Sequence, residues 1–369
     1  MKFVCSKSNL LTGVQTVAKA VPSKTTMSIL ECILIEADNG NIILTANDME
    51  LGIETIIKGD VLVSGKIALD AKIFLEIVRK LPDNDITIET DDNNKTTITC
   101  EKAKFNIIGK SGDDFSCLPV VEKRDPLVIS QYTLKESIRQ TIFSISDTEN
   151  NKLMTGELFE INNDELKVVS LDGHRISIRK IRLKNSYPFK KVVVPGKTLN
   201  EISKILSGDM DKDVLIYFSD KHIIFEFDNT TVVSRLIEGE YFKIDQMLSN
   251  DYETKVRINK KELLSCIDRA TLLVKEGDKK PIIINITDAG MELKINSAVG
   301  SMNEEIDITK QGKDLMIGFN PKFLIDALKV IEDEEIDIYL VNPKAPCFIR
   351  DEEGKYVYLI LPVNFTTVS

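Results

Sequence analysis

Tryptophan is absent from this chain, and histidine occurs twice in 369 residues. His174 and His222 are far apart, and the six cysteines (Cys5, Cys32, Cys100, Cys117, Cys266, Cys347) include no C-x-x-C pair. Zinc-site spacing is therefore missing, and reduced, partly buried thiols are expected. No run of about eighteen apolar residues occurs, and Met1-Lys2-Phe3-Val4-Cys5 opens a strand pattern without the apolar core of a signal peptide. A cytoplasmic protein with no membrane segment is the default expectation. G-x-G-x-x-G, H-E-x-x-H and G-x-S-x-G are also missing. Gly196-Lys197-Thr198 has the form of the end of a phosphate loop, but the first glycine of that motif would fall on Lys191, so a helix start is the better reading. No cofactor or metal is expected, and acidic pairs such as Asp91-Asp92 and Asp113-Asp114 read as solvated turns.

What is present is a repeat. Hydrophobic content of 43% and charged content of 29% are those of a globular protein, and the length calls for two to three domains. Helix patterns at 6–21, 133–147 and 259–275 start 127 and 126 residues apart; a second set at 70–81, 195–206 and 320–331 starts 125 residues apart both times. Thr133 with Glu136 has capping-box spacing, Asn259 with Glu262 resembles it, and Asn320-Pro321 is a good start signal. Strand patterns follow in register, at 41–54, 165–180 and 290–305, then at 86–108, 214–237 and 336–363. Each repeat reads as strand, helix, strands, helix, strands, which predicts an α+β chain of three domains, 1–125, 126–250 and 251–369. Two helices per domain suggest that each domain is itself a duplicated half-unit.

The charges are unevenly placed. The six helix windows hold fifteen Lys/Arg and eight Asp/Glu, a net of +7, which leaves −17 for the remainder of a chain whose total is −10. Helix propensity favours Glu about as much as Lys, so propensity does not produce this excess. A positive helical surface on an otherwise negative protein suits one that surrounds a polyanion and repels it elsewhere.

The stretch Leu171-Asp172-Gly173-His174-Arg175-Ile176 joins two apolar runs and reads as a tight hairpin turn with His174 at a strand start. Asp172 could orient His174, yet no nucleophile is marked as its partner. His222 belongs to an apolar strand and reads as structural. The terminal Tyr358-Leu359-Ile360-Leu361-Pro362-Val363 reads as a last core strand that could also wall a peptide pocket.

With the threefold repeat, the opening Met1-Lys2-Phe3, Leu158-Phe159-Glu160, the Asp-Gly-His-Arg turn, Gly239-Glu240-Tyr241-Phe242 and the closing Leu361-Pro362-Val363, the chain resembles the bacterial DNA polymerase III beta-subunit family from end to end. The resemblance implies three clamp-type domains, each with two helices packed on antiparallel sheets, closing as a head-to-tail homodimer into a ring around double-stranded DNA. Such a ring tethers the replicative polymerase and catalyses nothing. It implies DNA-facing positions at Lys24, Lys72, Arg79, Lys80, Arg139, Lys197 and Lys204, and a dimer interface of Phe105 and Ile107 with Leu272 and Leu273. It also implies a cleft for short peptides of polymerases, the clamp loader and mismatch-repair proteins. The matching cleft residues are Met154, Leu171, Gly173, His174, Arg175, Ile176, Phe242, Met247, Pro346, Leu359, Ile360 and Leu361. Where the family usually has Phe-Pro-Asp-Tyr, this chain has Tyr241-Phe242-Lys243-Ile244, which alters one cleft wall. Two other readings stay open on the residues alone: a repeat-built peptide-binding scaffold that does not encircle DNA, and an enzyme centred on His174 and Asp172.

Overall fold

Helix starts follow their capping residues. The computed structural model describes residues 1–148, 150–274 and 280–365. Its α-helices are α1 (Lys7–Val17), α2 (Ala71–Lys80), α3 (Gln131–Arg139), α4 (Gly196–Ile205), α5 (Lys260–Thr271) and α6 (Pro321–Val330). Ser6, Asp70, Asn259 and Asn320 each accept a backbone N–H of the first turn, at 3.3 Å from Asn9, 2.8 Å from Ile73, 3.0 Å from Lys261 and 3.0 Å from Lys322. These side chains satisfy donors that have no partner within the helix.

The helix predicted at 133–147 differs in both bounds. It begins at Gln131 because Ser130, not Thr133, supplies the accepting oxygen, at 3.2 Å from the Thr133 N–H. It stops at Arg139, and a short 3₁₀ turn, Ile142–Ser144, takes over. The predicted end of the third helix, Lys275, lies outside the described residues. The last predicted strand stops at Ile360, and Leu361 and Val363 continue as irregular chain bonded to His174 O and Gly318 O.

Close packing divides the chain into two units, Met1–Lys135 with Asn200–Leu236, and Glu136–Leu199 with Ile237–Ser369. The first holds a five-stranded and a nine-stranded antiparallel sheet. In the larger one, Leu51–Ile57 pairs with Thr230–Arg235, so strands from the first and second thirds of the sequence share one ladder. Its helices α1 and α2 pack on each other. The second unit holds a four-stranded sheet and a seven-stranded one, in which Arg175–Pro195 pairs with Tyr356–Ile360 across the second and third thirds. There α5 packs on α6, over a core that runs from Val256 to Ile360.

All six cysteines are free and only Cys117 is exposed. Burial first of all pushes the Cys5, Cys266 and Cys347 thiols up to about 12. No helix among the described residues is long and apolar enough to cross a membrane.

Candidate docking cleft and nucleic-acid interface

The strands Gly156–Leu171 and Arg175–Pro195 form a hairpin whose last ladder pair is Leu171 with Ile176; beyond it the Asp172 N–H donates to Arg175 O at 3.3 Å, which leaves Gly173 and His174 as the turn. The tight turn expected at Asp172-Gly173 is thus displaced by one residue, and His174 sits in the loop rather than at the strand start. The Asp172 carboxylate builds this loop: Oδ1 accepts from the His174 and Arg175 N–H groups at 2.9 and 3.1 Å, and Oδ2 from Arg175 Nε at 3.0 Å. Gly173 has φ +87°, a region that costs an L side chain, although nothing lies within 4 Å of where its Cβ would be. Asp172 is therefore occupied as a turn acceptor and ion-pair partner, and it meets His174 through the backbone N–H. The exposed imidazole instead stacks on Phe323, with ring centroids 6.1 Å apart and planes 22° apart.

Strand alternation divides the residues that the resemblance grouped together. Arg175 stands opposite Ile360 in the ladder, and Ile176 opposite Leu359. Ile176, Leu359 and Leu171 are buried in one apolar cluster with Tyr339 and Phe348, and Met154, Phe242 and Leu361 pack on its margin. Ile360 lies on the other side of the sheet, in the core between that sheet and α5 and α6. Arg175 shares its face: it is 7% exposed, donates to Asp326 Oδ2 at 2.7 Å and to Phe143 O, and lies over the Phe323 ring at 4.5 Å. Arg175 and Ile360 thus brace the floor from behind, while Met247 and His174 are exposed and Pro346 is half-buried.

Tyr339 and Phe348 are cluster members that the sequence reading missed. Their signal was the alternation of Glu335–Leu340 and Cys347–Arg350, which marks two faces but does not tell which face meets the hairpin. Phe242, in place of the usual proline, packs edge-on against Tyr241 with centroids 5.5 Å apart. Nearby, Lys167 bonds to Asp245 Oδ1 at 2.9 Å, and this contact holds the Asp245 carboxyl below its ordinary range.

On the observed helices, thirteen Lys/Arg stand against six Asp/Glu, so the net of +7 is the same as in the broader windows. Lys24, Lys72, Arg79, Lys80, Arg139, Lys197 and Lys204 are all exposed. Arg79, Arg139 and Lys204 each pair with a glutamate three residues earlier, Glu76, Glu136 and Glu201. Exposed pairs of this kind are weak, so these cations exchange readily onto other anions.

Two sheet edges carry the remaining residues. Ala103–Ile108 is an edge strand of the five-stranded sheet, with Phe105 exposed and Ile107 half-buried. Ile108, which the sequence reading left out, is 84% exposed. After α5, Leu272 is 82% exposed, whereas Leu273 packs partly on the core beneath it. Ser301–Ile306 is an edge strand of the four-stranded sheet.

Family models match almost the whole chain in order: the DNA polymerase III beta subunit N-terminal domain at 1–119, its central domain at 128–243 and its C-terminal domain at 245–364. A curated beta sliding clamp of Staphylococcus aureus is 33% identical over 375 residues, covering 99% of each chain. A solved structure from Eubacterium rectale, assigned to the DNA polymerase III beta subunit, is 74% identical with a TM-score of 0.97, covering 100% of both chains. The DNA polymerase sliding clamp of Bacillus subtilis is 35% identical with a TM-score of 0.95, covering 99% of this chain and 100% of its own. These matches favour the clamp over a scaffold that does not encircle DNA. With its threefold repeat, its paired sheets and its helix-borne positive charge, the chain belongs to the bacterial DNA polymerase III beta-subunit family and functions as a DNA sliding clamp.

Proposed function

We propose that two copies of this chain close head to tail into a ring around double-stranded DNA, with helices toward the duplex and sheets outside. The observation that carries this reading is the +7 concentrated on the helices of a chain whose total charge is −10. Lys24, Lys72, Arg79, Lys80, Arg139, Lys197 and Lys204 then meet phosphates by weak, exchangeable contacts that carry no sequence information. Enclosure supplies persistence, so no tight affinity is needed. The domains are 1–125, 126–250 and 251–369, and the order of the three family-model matches supports that division. The protein acts in the cytoplasm and is not an enzyme; its task is to hold a replicative polymerase on the template.

The ring closes where Ala103–Ile108 of one copy meets Ser301–Ile306 and the end of α5 of the other. Edge strands with unpaired backbone groups invite such an addition. Phe105, Ile107, Leu272 and Leu273 provide apolar contact, and exposed Lys102 and Lys104 face a strand bearing Glu304 and Glu305.

Short peptides of polymerases, the clamp loader and mismatch-repair proteins dock over Leu171, Ile176 and Leu359, between Met154, Phe242, Met247, Pro346 and Leu361, with Gly173 and His174 at the rim. Methionine walls suit several peptides, because thioether side chains repack easily.

Retention on a nicked circular duplex is the direct test. The protein is expected to stay on the circle and to be lost when the circle is linearised; equal loss from both would exclude enclosure. Leu272→Ala with Leu273→Ala is expected to weaken the dimer by a few kcal/mol, the scale of truncating buried leucines. Analytical ultracentrifugation across a dilution series reads it, and an unchanged dimer would remove these residues from the interface.

A further inference from the structure

The nine-stranded and the seven-stranded sheet repeat one row of residues. Beneath the docking cleft the row reads Leu171, Ile176, Leu359, Phe348 and Tyr339, each the ladder partner of the next. In the first unit Asn47, Gly52, Val233, Ile224 and Tyr217 are joined in the same order. The turn beside each row is also the same. Asp48 Oδ1 accepts from the Glu50 and Leu51 N–H groups at 3.0 and 2.7 Å, as Asp172 Oδ1 does from His174 and Arg175. Past the turn, the Arg235 N–H donates to Glu50 O at 2.8 Å, as the Leu361 N–H does to His174 O at 2.9 Å. The first unit therefore holds the frame of the docking cleft, with buried Tyr217, Ile224 and Val233 as its apolar floor.

What differs is the linker laid over each row. Both linkers pass an aromatic residue and set an aliphatic one on the sheet three residues later, Phe115 and Leu118 in the first unit, Tyr241 and Ile244 in the second. Both end at matching places, Lys123 on Glu226 and Ser249 O on Arg350. Between those points they part. In the second unit the 3₁₀ turn Ile244–Gln246 carries Asp245 to Lys167, four residues along the edge strand from Leu171. In the first, Pro119 disfavours a helical turn at Leu118, and the linker meets the row itself. Asn47 Nδ2 donates to Ser116 O at 3.5 Å, and Val121 packs on the Tyr217 cluster. Leu118 fills the space over Gly52: the three atoms nearest to where a Cβ would stand are all its own, at 2.1, 3.4 and 3.5 Å. Val120, between these anchors, is fully exposed.

A glycine where the other row has Ile176 leaves a pocket, and a leucine of the same chain is seated in it. We propose that the row from Asn47 to Tyr217 is the floor of a second peptide-docking cleft, which the chain's own Leu118–Val121 segment keeps filled. Its ligand class is a short extended peptide with a leucine and a second aliphatic residue three positions on. This inference rests on the docking reading of the row from Leu171 to Tyr339. Each chain accordingly offers one open cleft and holds a second closed. Apart from its two apolar anchors, the segment is tied down by the long Asn47 contact and by the solvent-open pair of Lys123 with Glu226, which is weak. Removing the anchors therefore frees the floor.

The probe is a labelled peptide amide of the linker sequence, residues 115–123 with Cys117→Ser, and equilibrium dialysis counts the equivalents bound per full chain. The parent is expected to take up one, at its open cleft. Leu118→Ala with Val121→Ala is expected to take up one more. Adding Gly52→Ile to that variant fills the leucine pocket and is expected to abolish only the added equivalent; Gly52 lies outside the left-handed region, so its backbone accepts the side chain. Should the double variant fail to fold, Leu118→Gln, which alters one half-buried side chain, carries the same comparison. A folded variant that binds no more peptide than the parent, or an added equivalent that survives Gly52→Ile, would overturn the second cleft. An added equivalent on the variant with none on the parent would support the second cleft and count against the docking reading alone.

Discussion

Arg175 and Glu157 are both buried, both charged in water, and both stand on the hairpin beneath the cleft, yet the fold treats them oppositely. The Arg175 guanidinium meets Asp172 at 3.0 Å, Asp326 at 2.7 Å and Phe143 O, and it lies over Phe323. Neither oxygen of Glu157 has a hydrogen-bond partner. The nearby Thr141 hydroxyl donates to Ser137 O at 2.7 Å. Burial therefore pushes the Glu157 carboxyl up to about 8, with Thr141 pulling weakly the other way. Burial thus favours the neutral form of the glutamate, whereas the arginine has two carboxylates and a carbonyl against it. Depth alone did not decide this; the number of oppositely charged and donating partners did.

Removing the arginine is the largest expected perturbation. Arg175→Met leaves the half-buried Asp172 and Asp326 without their cation and Phe143 O without its donor, and a loss of up to about 3–5 kcal/mol in unfolding free energy is expected from urea titration. Arg175→Lys should recover only part of it, because an ammonium cannot fork between two carboxylates and a carbonyl. If the methionine variant were as stable as the parent, Arg175 would not be the brace of this turn.

Glu157→Gln tests the other half of the contrast. The native carboxyl holds its proton up to about pH 8, whereas the unfolded one loses it near 4.5. Between those values the native state binds more protons, so this group's contribution to stability falls as pH rises and is gone above about 8. The glutamine variant lacks that slope and is expected to gain on the parent by up to a few kcal/mol from pH 5 to pH 9. Denaturation curves at each pH read the difference, and parallel profiles would mean that Glu157 is ionised throughout.

The smallest effect is expected at the turn itself. Gly173→Ala adds a methyl group where nothing stands within 4 Å, so only the backbone at φ +87° resists it. A cost of about 1 kcal/mol is expected by the same urea titration. A larger loss would show that Asp172 and Arg175 depend on this loop more closely than their contacts suggest.

Much of this was open to reading from residues. Cap residues and spacing located all six helices, and the charge excess on them had the same value before and after their true bounds were known. Thr133 was misassigned because Ser130, three residues earlier, is an equally good acceptor, and choosing between them needs the neighbouring turn. The cleft was only half legible. Leu171, Ile176 and Leu359 are apolar and stand in the right strands, but grouping Ile360 and Arg175 with them ignored a period of two that only the pairing register resolves.

The sequence by itself determined the repeat, the family, the helices and where positive charge would gather. All of these depend on local spacing, and local spacing survives without a third dimension. The tertiary structure alone decided which face of the hairpin meets the cleft. It also decided that Asp172 serves Arg175 rather than His174, and that Glu157, Gln140 and Asp337 are left with unmatched oxygens. Asp172 and Arg175 are only three residues apart, but the guanidinium is held there by Phe143 O and Asp326, 32 and 151 residues away. The other outcomes likewise depend on distant groups sharing a few ångströms of space, and no pattern along the chain encodes that meeting directly.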